Sequence, residues 1–182
     1  MLLFINSKHS LFMDEVMFYI SGRFTWIPLY LVLVVFIVRK YKRNSWIMIL
    51  FAVLAIVLSD QLANLVKNEV MHLRPSHTPG IMDLLHYYKD SAGESYMGGL
   101  YGFVSNHAAN STSLTLYLTL LLRNKYITGG LIVWACLLCY SRVYLGVHFP
   151  SDILGGMMVG SIAGFVCYKG CKFLEQMVVS KA

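Results

Sequence analysis

Long apolar runs separated by short polar segments dominate the amino-acid sequence. Five such runs occupy residues 24–38, 46–66, 107–122, 127–144 and 153–168. None of them alternates between apolar and polar positions, as the strands of a membrane barrel do. A transmembrane helix needs about 20 residues, so the shorter runs must extend into the residues that flank them. The pattern predicts an all-α fold, a polytopic membrane helical bundle of about five transmembrane helices.

The first 22 residues do not continue this pattern. Phe12, Val16 and Tyr19 recur at helical spacing, but charged side chains lie among them. A cleaved signal peptide would have a longer uninterrupted apolar stretch and a small-residue cleavage site. An amphipathic helix that lies on the membrane has such a mixed composition. We therefore expect residues 1–22 to form an N-terminal interfacial helix, within one membrane-embedded domain that covers residues 1–182.

The longest polar segment, residues 76–102, lies between the second and third runs. It is rich in glycine and tyrosine, and a connection of this length without regular structure is usually functional. Tyrosine favours the headgroup level of a membrane, and glycine permits the motion of a loop that closes over a site. We expect an extracytoplasmic lid, with a merely flexible loop as the alternative.

Composition restricts the class of protein. Hydrophobic residues make up 57% of the chain and charged residues 13%, whereas soluble domains carry about 45–50% and 25%. An ordinary soluble domain and a disordered chain are thereby excluded. The net charge of +6 comes from lysines and arginines in short groups along the chain, which is typical of loops beside anionic membrane lipids. Membrane lipids are the expected partners, and nucleic acid is not.

Groups of basic residues predict which face of the bundle meets the cytoplasm. Three groups fall on one face of a five-span bundle, at 39–43, 123–125 and 169–181. Basic loops stay on the cytoplasmic side, so residues 76–102 and 145–152 are expected on the opposite face. Together with the small size of the chain, this indicates a multi-pass protein of a bacterial inner membrane whose site faces the periplasm.

Three polar segments on that face contain the candidate chemistry. They are Lys67 to Pro75 with the spacing K-x6-R-P, Gly102 to His107, and Ser141 to Asp152 with the spacing S-R-x5-H-x3-D. Charges at the edge of a membrane are costly, and converging cations are tolerable where an anion joins them. Phosphate suits arginine forks and a lysine charge. Two histidines have the roles of nucleophile and general acid available to them.

These segments resemble the three-part signature of the type 2 phosphatidic acid phosphatase family, the membrane branch of the acid phosphatase and vanadium haloperoxidase superfamily. The first and third parts match in full. The middle part, P-S-G-H in the family, reads Val-Ser-Asn-His over residues 104–107, with asparagine in place of glycine and no proline. Asparagine tolerates unusual backbone angles better than most residues. The resemblance covers roughly residues 60–165.

The resemblance implies a role for each matching residue. His148 is the nucleophile that becomes a phosphohistidine, and Asp152 orients it. His107 protonates the leaving oxygen and then activates water. The phosphate oxygens are held by Lys67, Arg74, Arg142, Ser105 and the backbone N–H of Asn106. No metal and no cofactor is implied, which agrees with a sequence that offers no carboxylate cluster suited to a hard cation.

The sequence is therefore expected to encode a metal-independent phosphoric monoester or diphosphate hydrolase that acts on a lipid phosphate. Undecaprenyl diphosphate and lipid A phosphate are the favoured substrates, followed by phosphatidylglycerol phosphate and phosphatidic acid. Two alternatives stay open: a lipid phosphotransferase, in which an acceptor hydroxyl replaces water, and a non-catalytic phospholipid transporter or binder. The sequence leaves the oligomeric state open.

Overall fold

The computed structural model describes residues 1–22 and 24–179, and its regular structure is helical. Seven α-helices lie in these ranges: α1 (Leu2–Asn6), α2 (Leu11–Ser21), α3 (Ile27–Tyr41), α4 (Ser45–Val70), α5 (Asn106–Leu122), α6 (Lys125–Tyr144) and α7 (Pro150–Val179). Short 3₁₀ turns occupy Lys42–Asn44, Pro75–His77 and Met82–Leu84. Helices α3 to α7 coincide with the five apolar runs, which confirms the predicted membrane bundle.

Three segments of the described chain are long and apolar enough to cross a membrane. They are Ile27–Val70, Lys125–Tyr144 and Pro150–Val178. The first contains both α3 and α4, which pack against each other. The chain turns between them at Lys42, whose φ of 47° lies in the left-handed region. These segments therefore supply four of the five expected spans, and α5 is the fifth.

Helix α5 lies at the centre of the bundle. It packs against α4, α6 and α7, and most of its side chains are buried or half-buried. The hydroxyl of Tyr117, fully buried, donates to the carbonyl of Met48 on α4 over 2.8 Å. A helix surrounded by protein does not need an apolar surface toward lipid, which explains why α5 carries asparagine, serine and threonine.

Glycines bring α7 into backbone contact with α5. A Cβ built on Gly156 would lie 2.5 Å from the carbonyl oxygen of Ser105, and one on Gly164 would lie 2.5 Å from that of Ser113. Real side chains do not approach so closely, so this face of α7 requires glycine. Close packing inside the bundle is thus the role of this small-residue stripe.

The segment expected as one interfacial helix over residues 1–22 is divided into α1 and α2. The side chain of Ser10 caps α2 by accepting a hydrogen bond from the backbone N–H of Met13 over 3.3 Å, which is a typical helix start. Both helices pack against α6. The side chain of Asn6 donates to the carbonyl of Tyr144 over 2.8 Å and to that of His86 over 2.9 Å. The N-terminal helices are thereby tied to the end of α6, where the third motif begins.

The 76–102 segment is held by hydrogen bonds over the same end of the bundle. Leu73 forms an antiparallel bridge with Tyr101, and the hydroxyl of Ser76 donates to the carbonyl of Met97 over 2.7 Å. A second bridge between Lys89 and Ser95 closes a smaller loop within it. The segment therefore packs as a cover beside the three motifs, and its movement as a lid stays a prediction.

Candidate active site

His148 and Asp152 form a buried pair where α7 begins. His148 is 1% exposed and Asp152 is 0% exposed. Nδ1 of His148 lies 3.2 Å from Oδ2 of Asp152, and the backbone N–H of Phe149 donates to the same oxygen over 2.9 Å. The carboxylate favours the tautomer with hydrogen on Nδ1. Nε2 then carries the lone pair, as a nucleophile requires.

The environment of His148 favours the neutral imidazole. Burial lowers its pKa well below 6.5, and the charges of Arg142 and Arg74 lower it further, with smaller contributions from His107 and Lys67. Burial and positive neighbours both disfavour the protonated ring. His148 is therefore unprotonated at neutral pH, in the state that can attack phosphorus.

One cavity of about 490 Å³ brings five of the predicted site residues together. These residues, from α4, the following loop, α5 and the loop before α7, are Lys67, Arg74, Asn106, His107 and His148. The same cavity continues along apolar and aromatic side chains, namely Trp26, Tyr30, Ile56, Leu114, Trp134 and Leu138. A charged end and an apolar end thus share one space between the helices.

Three predicted site residues lie outside the lining of this cavity. Asp152 does not line the cavity itself, but its carboxylate contacts His148, which does. Ser105 is fully buried; its backbone N–H donates to the carbonyl of Asp152 over 3.0 Å. Arg142 is 2% exposed, and its Nη1 donates to the hydroxyls of Ser21 and Tyr96, the latter over 3.1 Å. The direct phosphate contacts expected from Ser105 and Arg142 therefore remain predictions.

Arg74 is held against the 76–102 segment. Its Nε donates to the carbonyl of Tyr101 over 3.1 Å. Gly98, with φ of 69°, packs so closely on Nη1 of Arg74 that a side chain at this position would collide with the guanidinium. Burial, and next the charge of Arg142, lowers the pKa of Arg74 to about 10, so the guanidinium remains charged at neutral pH.

Unpaired polar atoms lie at the charged end of the site, and three of them are hydrogen-bond donors. In the described part of the chain, Nη1 of Arg74, Nε of Arg142 and Oγ of Ser105 are buried without a hydrogen-bond partner. Leaving a buried charged donor unpaired costs free energy. Phosphate oxygens would satisfy these donors.

A network of amides and one carboxylate connects α4 to the start of α5. Oδ1 of Asp60 accepts from the side-chain nitrogens of Asn106 over 2.8 Å and of Asn110 over 3.1 Å. Oδ2 of Asp60 accepts from Asn64 over 3.0 Å, and Oδ1 of Asn64 accepts from Asn106 over 2.8 Å. Both donors of Asn106 are thus used, so its Oδ1 must face away from them. It accepts a hydrogen bond from Nζ of Lys67.

Sequence reasoning identified the motifs but not all of their partners. Asp60, Asn64 and Lys67 follow one another at i, i+4 and i+7 on one helical face, a spacing that indicates either support of Lys67 by Asp60 or a helix-packing hydrogen bond. The structure connects Asp60 to Lys67 through Asn106. Asn110 follows Asn106 at i+4, a spacing that would have placed it on the same helical face. Ser21 and Tyr96, which contact Arg142, gave no signal that separates them from other serines and tyrosines.

A group of possible metal ligands lies apart from this site. The ligand atoms of His9, Asp14 and His86 all lie within 4.8 Å of one another. Nε2 of His86 is 2.8 Å from Oδ2 of Asp14. The rings of His9 and His86 are stacked, with centroids 3.7 Å apart and planes at 8°. A metal ion lies in the plane of each coordinating imidazole, so stacked rings cannot both bind it without turning. The arrangement acts here as a contact between the N-terminal helices and the 76–102 segment.

The fold and the site together define a membrane-embedded phosphatase. The chain belongs to the PAP2 superfamily, whose family model matches residues 46–174. This confirms the family expected from the three motifs. It also makes the protein a lipid phosphatase, a hydrolase of phosphate monoester or diphosphate bonds of lipids within a membrane.

Comparison with known proteins gives the same class. The chain is 35% identical to a lipid A 4'-phosphatase of Porphyromonas gingivalis over 91% of its length and 69% of that protein. It is 33% identical to a lipid A 4'-phosphatase of Bacteroides thetaiotaomicron over 92% of its length and 74% of that protein. The crystal structure of Aquifex aeolicus LpxE shares the fold, with a TM-score of 0.66, 23% identity and coverage of 92% of both chains.

Proposed function

We propose that this protein removes a phosphate group from a lipid A-type phosphorylated glycolipid at the periplasmic face of a bacterial inner membrane. The observation that carries the proposal is the cavity in which His148, oriented by Asp152, faces the same space as His107, Lys67 and Arg74. The choice of lipid is supported by two lipid A 4'-phosphatases that match nine-tenths of the chain.

In the first step, Nε2 of His148 attacks phosphorus. A bond forms between this nitrogen and phosphorus, and the bond from phosphorus to the oxygen of the lipid breaks. Asp152 stabilises the imidazolium that develops, because its carboxylate accepts the hydrogen on Nδ1. His107 gives a proton to the departing oxygen, so that the lipid leaves as an alcohol.

In the second step, water replaces the lipid. His107, now neutral, takes a proton from the water as its oxygen attacks phosphorus. The bond between phosphorus and Nε2 of His148 then breaks, and inorganic phosphate is released. In both steps the developing charge on the oxygens is stabilised by Lys67, Arg74 and Arg142, a role for which preorganised cations are well suited.

The apolar end of the cavity suits the lipid part of the substrate. Trp26, Tyr30 and Leu114 are among the side chains that line it. Burial of apolar chains against such side chains is favourable, and it would hold the phosphate at the level of the two histidines. Contact with membrane lipids and with a lipid phosphate is thus part of the same proposal.

The periplasmic orientation rests on the distribution of charge. The basic groups at 39–43 and 123–125 lie at the turn between α3 and α4 and at the turn between α5 and α6. The site lies at the opposite ends of these helices, where α4 ends and α5 begins. Basic loops remain in the cytoplasm, and this supports a site on the other side of the membrane.

A panel of lipid phosphates tests the function. Purified protein in detergent is incubated with lipid A bisphosphate, undecaprenyl diphosphate, phosphatidylglycerol phosphate and phosphatidic acid, and inorganic phosphate is measured. We expect the highest kcat/KM for lipid A, with mass spectrometry showing which phosphate is removed. A higher kcat/KM for undecaprenyl diphosphate would reassign the substrate, and no release from any lipid would refute the proposal. Products that require an added acceptor alcohol would indicate phosphotransfer instead.

A further inference from the structure

Tyr96 extends from the 76–102 segment to Arg142. Its hydroxyl oxygen accepts a hydrogen bond from Nη1 of Arg142 over 3.1 Å, and the guanidinium carbon lies 5.7 Å from the centre of the Tyr96 ring. The hydroxyl of Ser21, at the end of α2, accepts from the same nitrogen. Tyr96 is therefore a direct neighbour of a cation to which the proposed reaction assigns phosphate.

The hydroxyl of Tyr96 lies in the field of two arginines. Burial alone would raise its pKa, yet the positive charges of Arg142 and Arg74, together with hydrogen bonds to Arg142 and Ser21, lower it overall. The oxygen is thus close to the positive charge that an anion would neutralise. A phenol whose lone pairs face cations still has one hydrogen to donate.

Aromatic contacts fix the Tyr96 ring in this place. Its ring meets that of Phe18 edge-on, with centroids 5.4 Å apart and planes at 82°. Phe18 in turn stacks on Tyr88, with centroids 4.2 Å apart. The backbone N–H of Tyr96 donates to the carbonyl of Tyr88 over 2.8 Å. A hydroxyl on a ring held in this way loses little conformational freedom when it binds a ligand.

Two donors beside Tyr96 mark where an anion would bind. Nε of Arg142 and Nη1 of Arg74 are buried and have no partner among the residues that the structure describes. Both arginines are also close enough to the Tyr96 hydroxyl to lower its pKa, so an anion oxygen bound between them would be within reach of that hydroxyl. Charged donors and a neutral hydroxyl commonly share one phosphate group in this way.

We propose that Tyr96 is a further ligand of the substrate phosphate. Its oxygen keeps the hydrogen bond from Arg142, and its hydrogen is donated to a phosphate oxygen held by Arg142 and Arg74. This deepens the lipid phosphatase function proposed above and rests on it. The 76–102 segment then contributes a phosphate-binding group in addition to covering the cavity.

Tyr96→Phe tests the proposal, since it removes one oxygen and keeps the aromatic ring. Tyr88→Phe is the matched control: it removes a hydroxyl from the same aromatic group, one that contacts Glu15 over 3.3 Å at the protein surface. Binding of orthovanadate to the full chain in detergent is measured by calorimetry, and KM and kcat are measured for lipid A bisphosphate.

A hydrogen bond to a charged oxygen contributes about tenfold or more to affinity. We therefore expect Tyr96→Phe to weaken orthovanadate binding and to lower kcat/KM by about tenfold or more. Tyr88→Phe should stay within about twofold of the wild-type protein, as is usual for surface substitutions. Unfolding temperatures of both variants show whether the hydroxyl acts only on stability.

The outcomes separate this proposal from the proposed function. If Tyr96→Phe binds orthovanadate with unchanged affinity, the proposal that Tyr96 binds phosphate is overturned, whether or not the unfolding temperature falls. An equal loss of orthovanadate affinity in Tyr88→Phe also overturns it. If the wild-type protein binds no orthovanadate, it is likewise overturned. A loss confined to Tyr96→Phe supports it, and if no lipid phosphate is hydrolysed, the substrate assignment fails while the anion ligand stands. Lipid hydrolysis that Tyr96→Phe leaves unchanged removes Tyr96 from the site and leaves the function in place.

Discussion

Exchanging Asp60 and Asn64 tests the amide network that holds Lys67. Asp60 accepts three hydrogen bonds, from Asn106 and Asn110 on one oxygen and from Asn64 on the other. In Asp60→Asn, the side-chain oxygen at position 60 must remain toward α5 to accept from Asn106 and Asn110. The new –NH2 group at position 60 then faces the –NH2 group of Asn64, and neither can accept the other's hydrogen. Turning Asn64 over moves the conflict to Asn106, which then can no longer present its oxygen to Lys67.

The reciprocal change restores the pattern. Asn64→Asp alone places a second carboxylate beside Asp60, where two acceptors face each other over the 3.0 Å that a hydrogen bond now spans. In the double variant, the amide at position 60 donates to the carboxylate at position 64, and this carboxylate accepts from Asn106 as the amide did before. Every hydrogen bond is remade, and only one changes direction.

The size of the effect follows from one unmade hydrogen bond. A buried donor or acceptor without a partner costs about 1–3 kcal/mol. For a chain of this length, 1 kcal/mol shifts the unfolding temperature by about 2–4 °C. Each single variant should therefore unfold about 2–12 °C lower than the wild type. The double variant should recover most of this loss, so the coupling free energy between the two positions approaches the sum of the two single losses, about 2–6 kcal/mol.

Thermal unfolding in detergent and phosphate release from a lipid phosphate measure the two consequences. The unfolding temperature and the rate of phosphate release should both be lower in the single variants and recover in the double variant. Activity follows stability here because the single variants also disturb Asn106, whose side-chain oxygen accepts from Lys67. Asn68→Asp makes the same chemical change on an exposed position of α4 and should alter neither. If the double variant unfolds at the temperature given by adding the two single shifts, the amide orientations described above are wrong.

Four further predictions concern the site. His148→Ala should abolish phosphate release while the protein still folds, because the covalent route needs the nucleophile; more than a few per cent of residual activity would contradict the assignment. Arg142→Lys keeps the charge but loses the fork, so activity should fall steeply in a kinetic assay, and free exchange would remove Arg142 from the site. Phosphate release should continue in excess chelator and be inhibited by vanadate. Below pH 6.5 the unfolded chain binds a proton at His148 that the folded protein, with its lowered pKa, does not; the unfolding temperature should therefore fall as pH is lowered, and less so in His148→Ala.

A last prediction tests the orientation in the membrane. A cysteine introduced as Ser91→Cys, in the 76–102 segment, should react with a membrane-impermeant thiol reagent in intact spheroplasts. A cysteine introduced as Asn44→Cys, between α3 and α4, should react only after permeabilisation. Reversed labelling would place the site in the cytoplasm.

The membrane helices were predictable because each of them corresponds to a pattern of neighbouring residues in the sequence. Apolar runs marked α3 to α7, and the basic groups marked the turns between them. The end of α7 was not predicted, since the apolar run stops near residue 168 and the helix continues to Val179. Hydropathy records where lipid surrounds a helix, whereas the last turns are stabilised by pairs such as Lys172 and Glu175, 2.7 Å apart.

Only those parts of the site that lie within sequence motifs were predictable. Spacing places His148 and Asp152 one helical turn apart, and the structure joins them as expected. The partner of Lys67 depends on how α4 faces α5, and the partner of Arg142 depends on the path of a long loop. Neither is recorded in local spacing, so Asn106 was assigned to phosphate through its backbone while the side-chain contact to Lys67 went unforeseen.

The glycine face between α5 and α7 has a practical consequence for the enzyme out of its membrane. His107 is carried on α5 and His148 just before α7, so the distance between them depends on how tightly these two backbones touch along Gly156 and Gly164. A displacement of about 1 Å in a catalytic group can cost 100-fold in rate. Detergents that loosen this seam should therefore inactivate the protein while its helices stay intact. Half-life of activity, and not the melting of helical signal, is then the quantity by which detergents and stabilised variants should be ranked.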